Sequence, residues 1–231
     1  MHPNLLGPAS PVRPLLAIDS STEQAGVALF DGARGAELSW PAGRTQTASL
    51  LAQVHHLLGL RGLAAGDLGA VAVATGPGAF NGLRVGLAVA KGLVLGLGVP
   101  LLGVPTLAAA AAAHADAGRP VLAVVAAGRG RLVWAAYGDG PEGWGPTAAP
   151  RNGTVEDLAV HLAAAAGTVV TGELDGTQEA TVAAVAGVTL VPRPLRLRRP
   201  IAVAALAWDR HLAGEADDAA ALAPVYAGRE P

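Results

Sequence analysis

The chain has 231 residues, of which 52% are hydrophobic and 15% are charged, so it can form one moderately large domain or two small lobes. Its formal net charge of −2 excludes a general electrostatic attraction to nucleic acid, so any RNA contact must be local or supplied by a partner. The absence of cysteine excludes disulfides, thiolate metal sites and cysteine nucleophiles.

The N-terminal third begins with a ragged extension and continues with strands. Residues 1–14 contain scattered prolines and lack the basic start and apolar middle of a secretory signal. Three strands joined by tight turns follow, and Asp31-Gly32 is typical of a hairpin between the second and the third. Their predicted bounds are 15–19, 25–30 and 37–40.

The apolar period then changes to that of a helix over 45–60, where the apolar residues Leu50, Leu51, Val54, Leu57 and Leu58 fall on one face. A buried strand is predicted over 71–75. These two elements continue the α/β order of the chain.

A glycine-rich loop, Gly76–Gly82, leaves that strand and opens a helix predicted over 83–96. Backbone amides and the helix dipole at such a position can bind an anion, but tight packing explains a glycine loop about as often. The loop is neither a Walker A loop nor a Rossmann fingerprint. The helix is apolar over most of its circumference, so a second side must be covered by the first helix or by another subunit.

The segment 82–104 is long and apolar, but it carries Arg84 and Lys91 and many glycines. We therefore interpret it as a buried helix followed by a strand rather than a membrane span.

The second half repeats the alternation of strands and helices. An alanine-rich helix is predicted over 106–117, and residues 138–153 are predicted as loop. The other predicted elements are strands at 100–103, 121–125 and 132–137, short strands near Val169 and Val188, and helices at 154–166, 178–186 and 201–212. This order predicts two α/β lobes that meet between Ala108 and Pro120.

Two polar segments could carry chemistry. At the turn after the first strand, Asp19 and the hydroxyls of residues 20–22 could hold an anion or a magnesium ion, although turn residues that satisfy backbone amides are the commoner case. The arginines between residues 193 and 199 could contact a phosphate backbone, but a proline-interrupted charged run is more often a solvated linker. The histidines have no metallopeptidase spacing, and no Gly-x-Ser-x-Gly elbow occurs.

Several of these segments together resemble the TsaB (YeaZ) family. The similarity is dense over residues 15–110 and thin afterwards, and its G-P-G-x-F-x-G-[LV]-R-[IV]-G string is highly specific. The matching residues are 15–22, 44–46, 74–86, 88–93, 98–107 and 223–226.

The resemblance implies an α/β chain with the actin-like ATPase (ASKHA) fold, built from two ribonuclease-H-like lobes, 15–110 and a reduced 111–231. It implies a cytoplasmic subunit without catalytic or metal-binding residues of its own. Its partners would be the paralogue TsaD, which transfers threonylcarbamoyl to adenosine 37 of tRNA, and the ATPase TsaE. The tRNA would be contacted only through the complex. The resemblance leaves two features open: a homodimer in the absence of TsaD, and ATP or ADP bound at the TsaB–TsaD interface.

The resemblance also assigns residues. Helices 46–60 and 83–96 correspond to the dimerisation surface, with the interface residues Gln46, Leu50, Gln53, Val54, Leu57, Gly82, Leu83, Val85, Gly86, Val89, Ala90 and Leu93. The candidate nucleotide or anion contacts are Asp19, Ser20, Ser21, Thr22, Gly76 and Gly78.

Several residues depart from the family pattern. Ala79 and Asn81 replace a serine and a threonine, and Arg44 replaces a histidine. The segment 126–131 replaces an Asp-Ala-Arg-x-x-Glu element, so nucleotide or metal contacts from it are in doubt.

Three other functions fit the sequence less well. A sugar-kinase-like phosphotransferase needs a catalytic aspartate where Ala126 stands, and a metallopeptidase needs histidine ligands that the chain lacks. A plain RNA-binding module does not fit the net charge or the aromatic content of 3%.

Overall fold

The computed structural model describes residues 13–42, 46–141 and 143–226. The extension predicted at 1–14 and the helix start predicted at 44–45 lie mostly outside these ranges. Within them the chain forms two sheets with helices packed on their faces. The first sheet has the order β3-β2-β1-β4-β5, with β1 Leu15–Asp19, β2 Gln24–Phe30, β3 Gly35–Pro41, β4 Ala70–Gly76 and β5 Leu101–Pro105.

Local sequence explains the first sheet. The Asp31 carboxylate accepts hydrogen bonds from the backbone amides of Ala33 and Arg34, which closes the turn between β2 and β3. Strands β1, β2 and β3 pair antiparallel, whereas β1, β4 and β5 pair in parallel. Strand β4 is buried along its whole length, as expected for a parallel strand covered on both faces.

Two layers of helices cover this sheet. Helices α1 (Gln46–Leu60) and α2 (Phe80–Leu97) pack on one face. On the other face lie α3 (Thr106–Ala112) and α6 (Pro200–Leu212), whose Trp208 is buried with Ala17 and Ala72. Helices on both faces of the sheet therefore fix the positions of the ends of β1 and β4.

The second sheet has the order β11-β10-β6-β7-β8, and β9 pairs with β7. The bounds of its elements are β6 Val121–Ala126, β7 Leu132–Gly140, β8 Gly143–Pro146, β9 Arg151–Gly153, α4 Val155–Ala163, β10 Val169–Gly172, α5 Gly176–Ala183 and β11 Thr189–Leu190. Helices α4 and α5 cover one face, and Leu107 and Ala111 of α3 pack into the other. Helix α3 therefore lies between the two sheets.

Four sequence predictions need correction. The lobe predicted over 111–231 is not one unit, because α6 returns to pack on the first sheet. Strands β8 and β9, with the end of β7, lie in the region predicted as loop over 138–153. The helix predicted over 83–96 begins earlier, at Phe80, and the helix predicted over 106–117 ends at Ala112.

By length and composition α2 could cross a membrane, and among the described helices it alone passes that test. About a third of it is buried in the chain, including Leu83, Leu87 and Val94. Leu87 and Val94 pack in the core of the first lobe, so one side of α2 is buried as predicted.

Candidate functional site

A cleft of about 1160 Å³ lies between the two lobes. Its first-lobe wall comes from the turn after β1 and the loop before α2, where Thr22 and Gly78 lie. Its second-lobe wall comes from the β6–β7 loop, the end of β10, the start of α5 and the arginine segment 193–198. In a two-lobed α/β fold, a crevice at strand ends is the usual place for a ligand.

A buried ion-pair network closes the base of the cleft. Arg198 donates from Nε to Asp19 Oδ2 at 2.7 Å, and both side chains are almost completely buried. Arg198 also donates to Glu173 and Thr22 and to the carbonyl of Gln24. Each guanidinium nitrogen donates to at least one of these partners, so Arg198 ties the turn after β1 to the end of β10.

Burial and the neighbouring charges act in opposite directions on the pKa values of Asp19 and Arg198. Desolvation raises the pKa of Asp19, but the charge of Arg198 and hydrogen bonds from Arg198 and Ser21 outweigh it and hold the pKa below its usual value. Desolvation likewise lowers the pKa of Arg198, and Asp19 and Glu173 outweigh it and raise that pKa. Asp19 is therefore ionised, and its charge is balanced by Arg198. A carboxylate in such a pair is unsuited to binding a magnesium ion.

The hydroxyl groups after β1 form hydrogen bonds within the chain. Ser20 donates to the carbonyl of Gly82 at 2.9 Å, and Ser21 donates to Asp19 at 2.6 Å. Thr22 donates to Glu173 and accepts from Arg198. Of the six predicted nucleotide or anion contacts, only Thr22 and Gly78 line the cleft.

The glycines of the 76–82 loop are required by close packing. Gly76 has φ +111°, and a Cβ built there would lie 2.3 Å from the carbonyl oxygen of Val225. A Cβ on Gly78 would lie 2.1 Å from the carbonyl oxygen of Ser21. Backbone hydrogen bonds from Ala79 to Ser21 and from Val225 to Thr75 hold the same contacts. Packing, which the sequence left as an alternative to anion binding, accounts for both glycines.

The opposite wall of the cleft carries arginine where the family pattern has acids. Residues 126–131 form a tight turn in which the amide of Ala127 bonds to the carbonyl of Arg131. Arg129 and Arg131 both line the cleft, and Arg131 also donates to Asn152. This turn supplies no carboxylate to the cleft.

The segment 192–200 is not the solvated linker that its composition suggests. Arg196 and Arg198 are each only 5% exposed. Arg193 and Arg196 both donate to Glu179 on α5, and Arg198 makes the Asp19 pair. The only sequence signal for this role is the basic run itself, between a strand and the last helix. The partner Asp19 lies 179 positions away, where no local pattern points to it.

The predicted interface helices bury most of the residues that were assigned to a partner. The stripe of Gly82, Gly86 and Ala90 is buried, and a Cβ on Gly86 would lie 2.3 Å from Ser20 Oγ in the turn after β1. Seven of the predicted interface residues are buried in the chain's own core: Leu50, Val54, Leu57, Gly82, Leu83, Gly86 and Ala90. Their burial within one chain leaves little of these seven residues for a partner to contact, and their assignment to the interface stays a prediction.

The remaining interface assignments lie nearer the surface. Gln53, Val85, Val89 and Leu93 are half-buried, and the Gln46 side chain lies outside the described residues. Sequence analysis missed three more exposed leucines: Leu95 (88% exposed), Leu60 (63%) and Leu51 (53%). The helical period places Leu51 on the same face as Leu58, so the sequence alone did not distinguish it. Leu60 and Leu95 lie off the core stripes of α1 and α2, and their helical positions could have identified them.

Within residues 13–42, 46–141 and 143–226, no group of three or more His, Asp or Glu side chains is arranged to hold a metal ion.

The layered sheets and the interlobe cleft define a two-lobed α/β protein with the actin-like ATPase-type fold. The sequence model of the family "TsaD: tRNA N6-adenosine threonylcarbamoyltransferase" matches residues 41–179. The structure of YeaZ from Pseudomonas aeruginosa superposes with a TM-score of 0.76 at 30% identity, covering 94% of this chain and 100% of that one. The chain belongs to the TsaB (YeaZ) family.

Curated relatives agree with this assignment. The tRNA threonylcarbamoyladenosine biosynthesis protein TsaB of Escherichia coli (strain K12) is 38% identical over 126 residues, 53% of this chain and 54% of that protein. TsaB of Haemophilus influenzae is 37% identical over 99 residues, 43% of this chain and 42% of that protein. The chain spans about half the length of these curated relatives.

Proposed function

We propose that the chain is a non-catalytic, cytoplasmic subunit required for formation of N6-threonylcarbamoyladenosine at position 37 of tRNA. In this role it binds and supports a TsaD-type threonylcarbamoyltransferase as a heterodimer, and a TsaE-type ATPase joins the pair. The names of its relatives and the match to the TsaD family model support the pathway.

The observation that carries the partner-binding role is the set of large apolar side chains that α1 and α2 leave in solvent. Leu51, Leu60 and Leu95 are more than half exposed, and Val85, Val89 and Leu93 are only half covered. Small residues on the same outer side of α2, Gly92 and Gly96, allow another backbone to approach. Exposed apolar surface of this kind on a folded domain indicates a protein interface.

The state of the cleft supports the absence of catalysis. Asp19, the carboxylate best placed to hold a metal ion, is buried and neutralised by Arg198. Ala126 and the turn after it provide no replacement acid. A phosphotransferase needs a metal-holding or proton-accepting carboxylate, and neither Asp19 nor position 126 offers an unpaired one, which counts against the sugar-kinase alternative.

Gly92 offers a clean test of the interface. A Cβ built at Gly92 meets no atom within 4 Å, so Gly92→Arg leaves the packing of the chain intact while placing a long charged side chain on the outer side of α2. The matched control is Gly176→Arg, which makes the same change at an uncrowded helical glycine of the second lobe. Gly86 is unsuitable, because a side chain there meets Ser20.

The assay is sedimentation velocity of the chain mixed with the TsaD-type protein of the same organism. Wild type and Gly176→Arg should form a heterodimer, and Gly92→Arg should bind at least about ten-fold more weakly because charge is buried in an apolar interface. Independent sedimentation of the wild-type chain and its partner at micromolar concentration would reject the proposal.

A further inference from the structure

We propose that the second lobe binds a small aromatic carboxylate in a pocket of its own, with the carboxylate on Arg151 and the ring against Trp134. The pocket has a volume of about 300 Å³ and lies between the sheet of that lobe and the C-terminal end of α4. None of its lining residues also lines the interlobe cleft. The proposal goes beyond the partner-binding role and does not depend on it.

The walls of this pocket are largely apolar. Leu122 of β6 and Trp134 and Ala136 of β7 line it from the sheet, and Ala165 and Ala166 line it from the loop after α4. The indole Nε1 of Trp134 is covered, so a ligand meets only the apolar surface of the ring. A concave pocket of this size, with mostly apolar walls and few polar groups, suits a small and mostly apolar molecule.

One positive charge lines the pocket without a counter-ion. Arg151 and Trp134 are direct partners in the antiparallel pair of β9 and β7, so their side chains leave the same face of the sheet. Arg151 is exposed and forms no ion pair with any described residue. No Asp or Glu is among the described residues that line the pocket. An anionic group is therefore the complementary ligand, and a guanidinium fits the two oxygens of a carboxylate.

His161 of α4 adds a second planar group to the lining, beside Trp134. The centroids of the two rings are 6.2 Å apart, and their planes are inclined by 39°. Burial, and to a lesser degree the charge of Arg151, lowers the pKa of His161, so its imidazole is neutral at neutral pH. Arg151 is then the only charged group among the described lining residues. Two aromatic rings at one pocket favour a ligand that is itself flat and aromatic.

Isothermal titration calorimetry of the full chain with indole-3-acetate, and with its neutral amide indole-3-acetamide, tests the site. A ligand of this size that fits the pocket should bind the wild type with a Kd of about 1 mM or tighter. Arg151→Met should weaken binding of the acid at least about five-fold and leave binding of the amide unchanged, because only the charge-assisted contact is lost. Arg151→Lys, which keeps the charge, should retain an intermediate affinity for the acid. Ala136→Leu places bulk in the pocket at a half-buried position and should weaken binding of both compounds.

The matched control is Arg129→Met, which removes the same charge at an exposed arginine of the interlobe cleft and should bind both compounds as the wild type does. Equal binding of the acid by wild type and Arg151→Met, or no binding by the wild type at millimolar concentration, overturns the proposal. Weaker binding in Arg129→Met but not in Arg151→Met places the acid in the interlobe cleft and also overturns it. Heterodimer formation by Arg151→Met should be unchanged, so this proposal and the partner-binding role can fail separately.

Discussion

Replacing Arg198 with methionine should destabilise the chain far more than an ordinary surface substitution. The change removes the cation that faces Asp19 at 2.7 Å and leaves a carboxylate that is only 3% exposed without its counter-ion. It also removes hydrogen bonds to Glu173, Thr22 and the carbonyl of Gln24. Breaking one side of a buried ion pair typically costs about 3–5 kcal/mol, and we expect a loss in that range.

The stability of the wild type and that of Arg198→Met should depend differently on pH. In the wild type the pKa of Asp19 lies below its usual value of 3.8, so its contribution to stability is present at neutral pH and is lost as the pH falls below about 4. Without Arg198, desolvation is no longer outweighed and raises the pKa of Asp19. Protonation then relieves the buried charge, so the deficit of Arg198→Met should shrink between neutral pH and about pH 5.

Urea unfolding at both pH values measures these effects. The control is Arg199→Met, which removes the neighbouring arginine, 62% exposed and paired with Glu37, and should cost less than about 1 kcal/mol. The double variant Asp19→Asn with Arg198→Met should lose less free energy of unfolding than the two single variants lose together. A deficit below about 1 kcal/mol for Arg198→Met, or one that is the same at both pH values, would refute the assignment of a buried ion pair.

Three further predictions concern other parts of the fold. Gly78→Ala should destabilise the chain by about 1–3 kcal/mol in urea unfolding, because its Cβ would lie 2.1 Å from the backbone oxygen of Ser21. Trp208→Ala should cost about 3–5 kcal/mol by the same measurement, since Trp208 is buried and packs edge-on against Phe30 of the first sheet. Burial raises the pKa of Tyr137 to about 12, so an ultraviolet titration should show its phenol ionising near that pH, and stability should fall between about pH 10 and 12.

The parts of the fold that sequence predicts are those encoded by neighbouring residues. The short apolar runs and the Asp31-Gly32 turn locate β1 to β3, and the 3.6-residue period locates α1. Strands β8 and β9 escaped prediction because they are short and rich in glycine and proline, and pairing with β7 alone defines them.

The candidate site was predicted less well, because its contacts join distant residues. Asp19 was predicted as a nucleotide or anion contact, which stays a prediction, and its partner Arg198 lies in a segment whose composition suggests solvent exposure. Gly86 and Ala90 have the spacing of a helix contact surface, and the spacing cannot tell whether β1 or another subunit covers it. The packing of α6 on the first sheet likewise depends on tertiary contacts, which no local sequence pattern predicts.

The most direct test of the central claim is reconstitution of tRNA modification with purified components. All reactions would contain the tRNA and an activated threonylcarbamoyl donor, and N6-threonylcarbamoyladenosine would be measured with the TsaD-type and TsaE-type proteins plus the chain, with those two proteins without the chain, and with the chain as the only protein. We expect product only when the chain and the transferase are both present, with a marked loss for Gly92→Arg and none for Gly176→Arg. Product formed by the chain alone, or equal product with and without it, would contradict the proposed role.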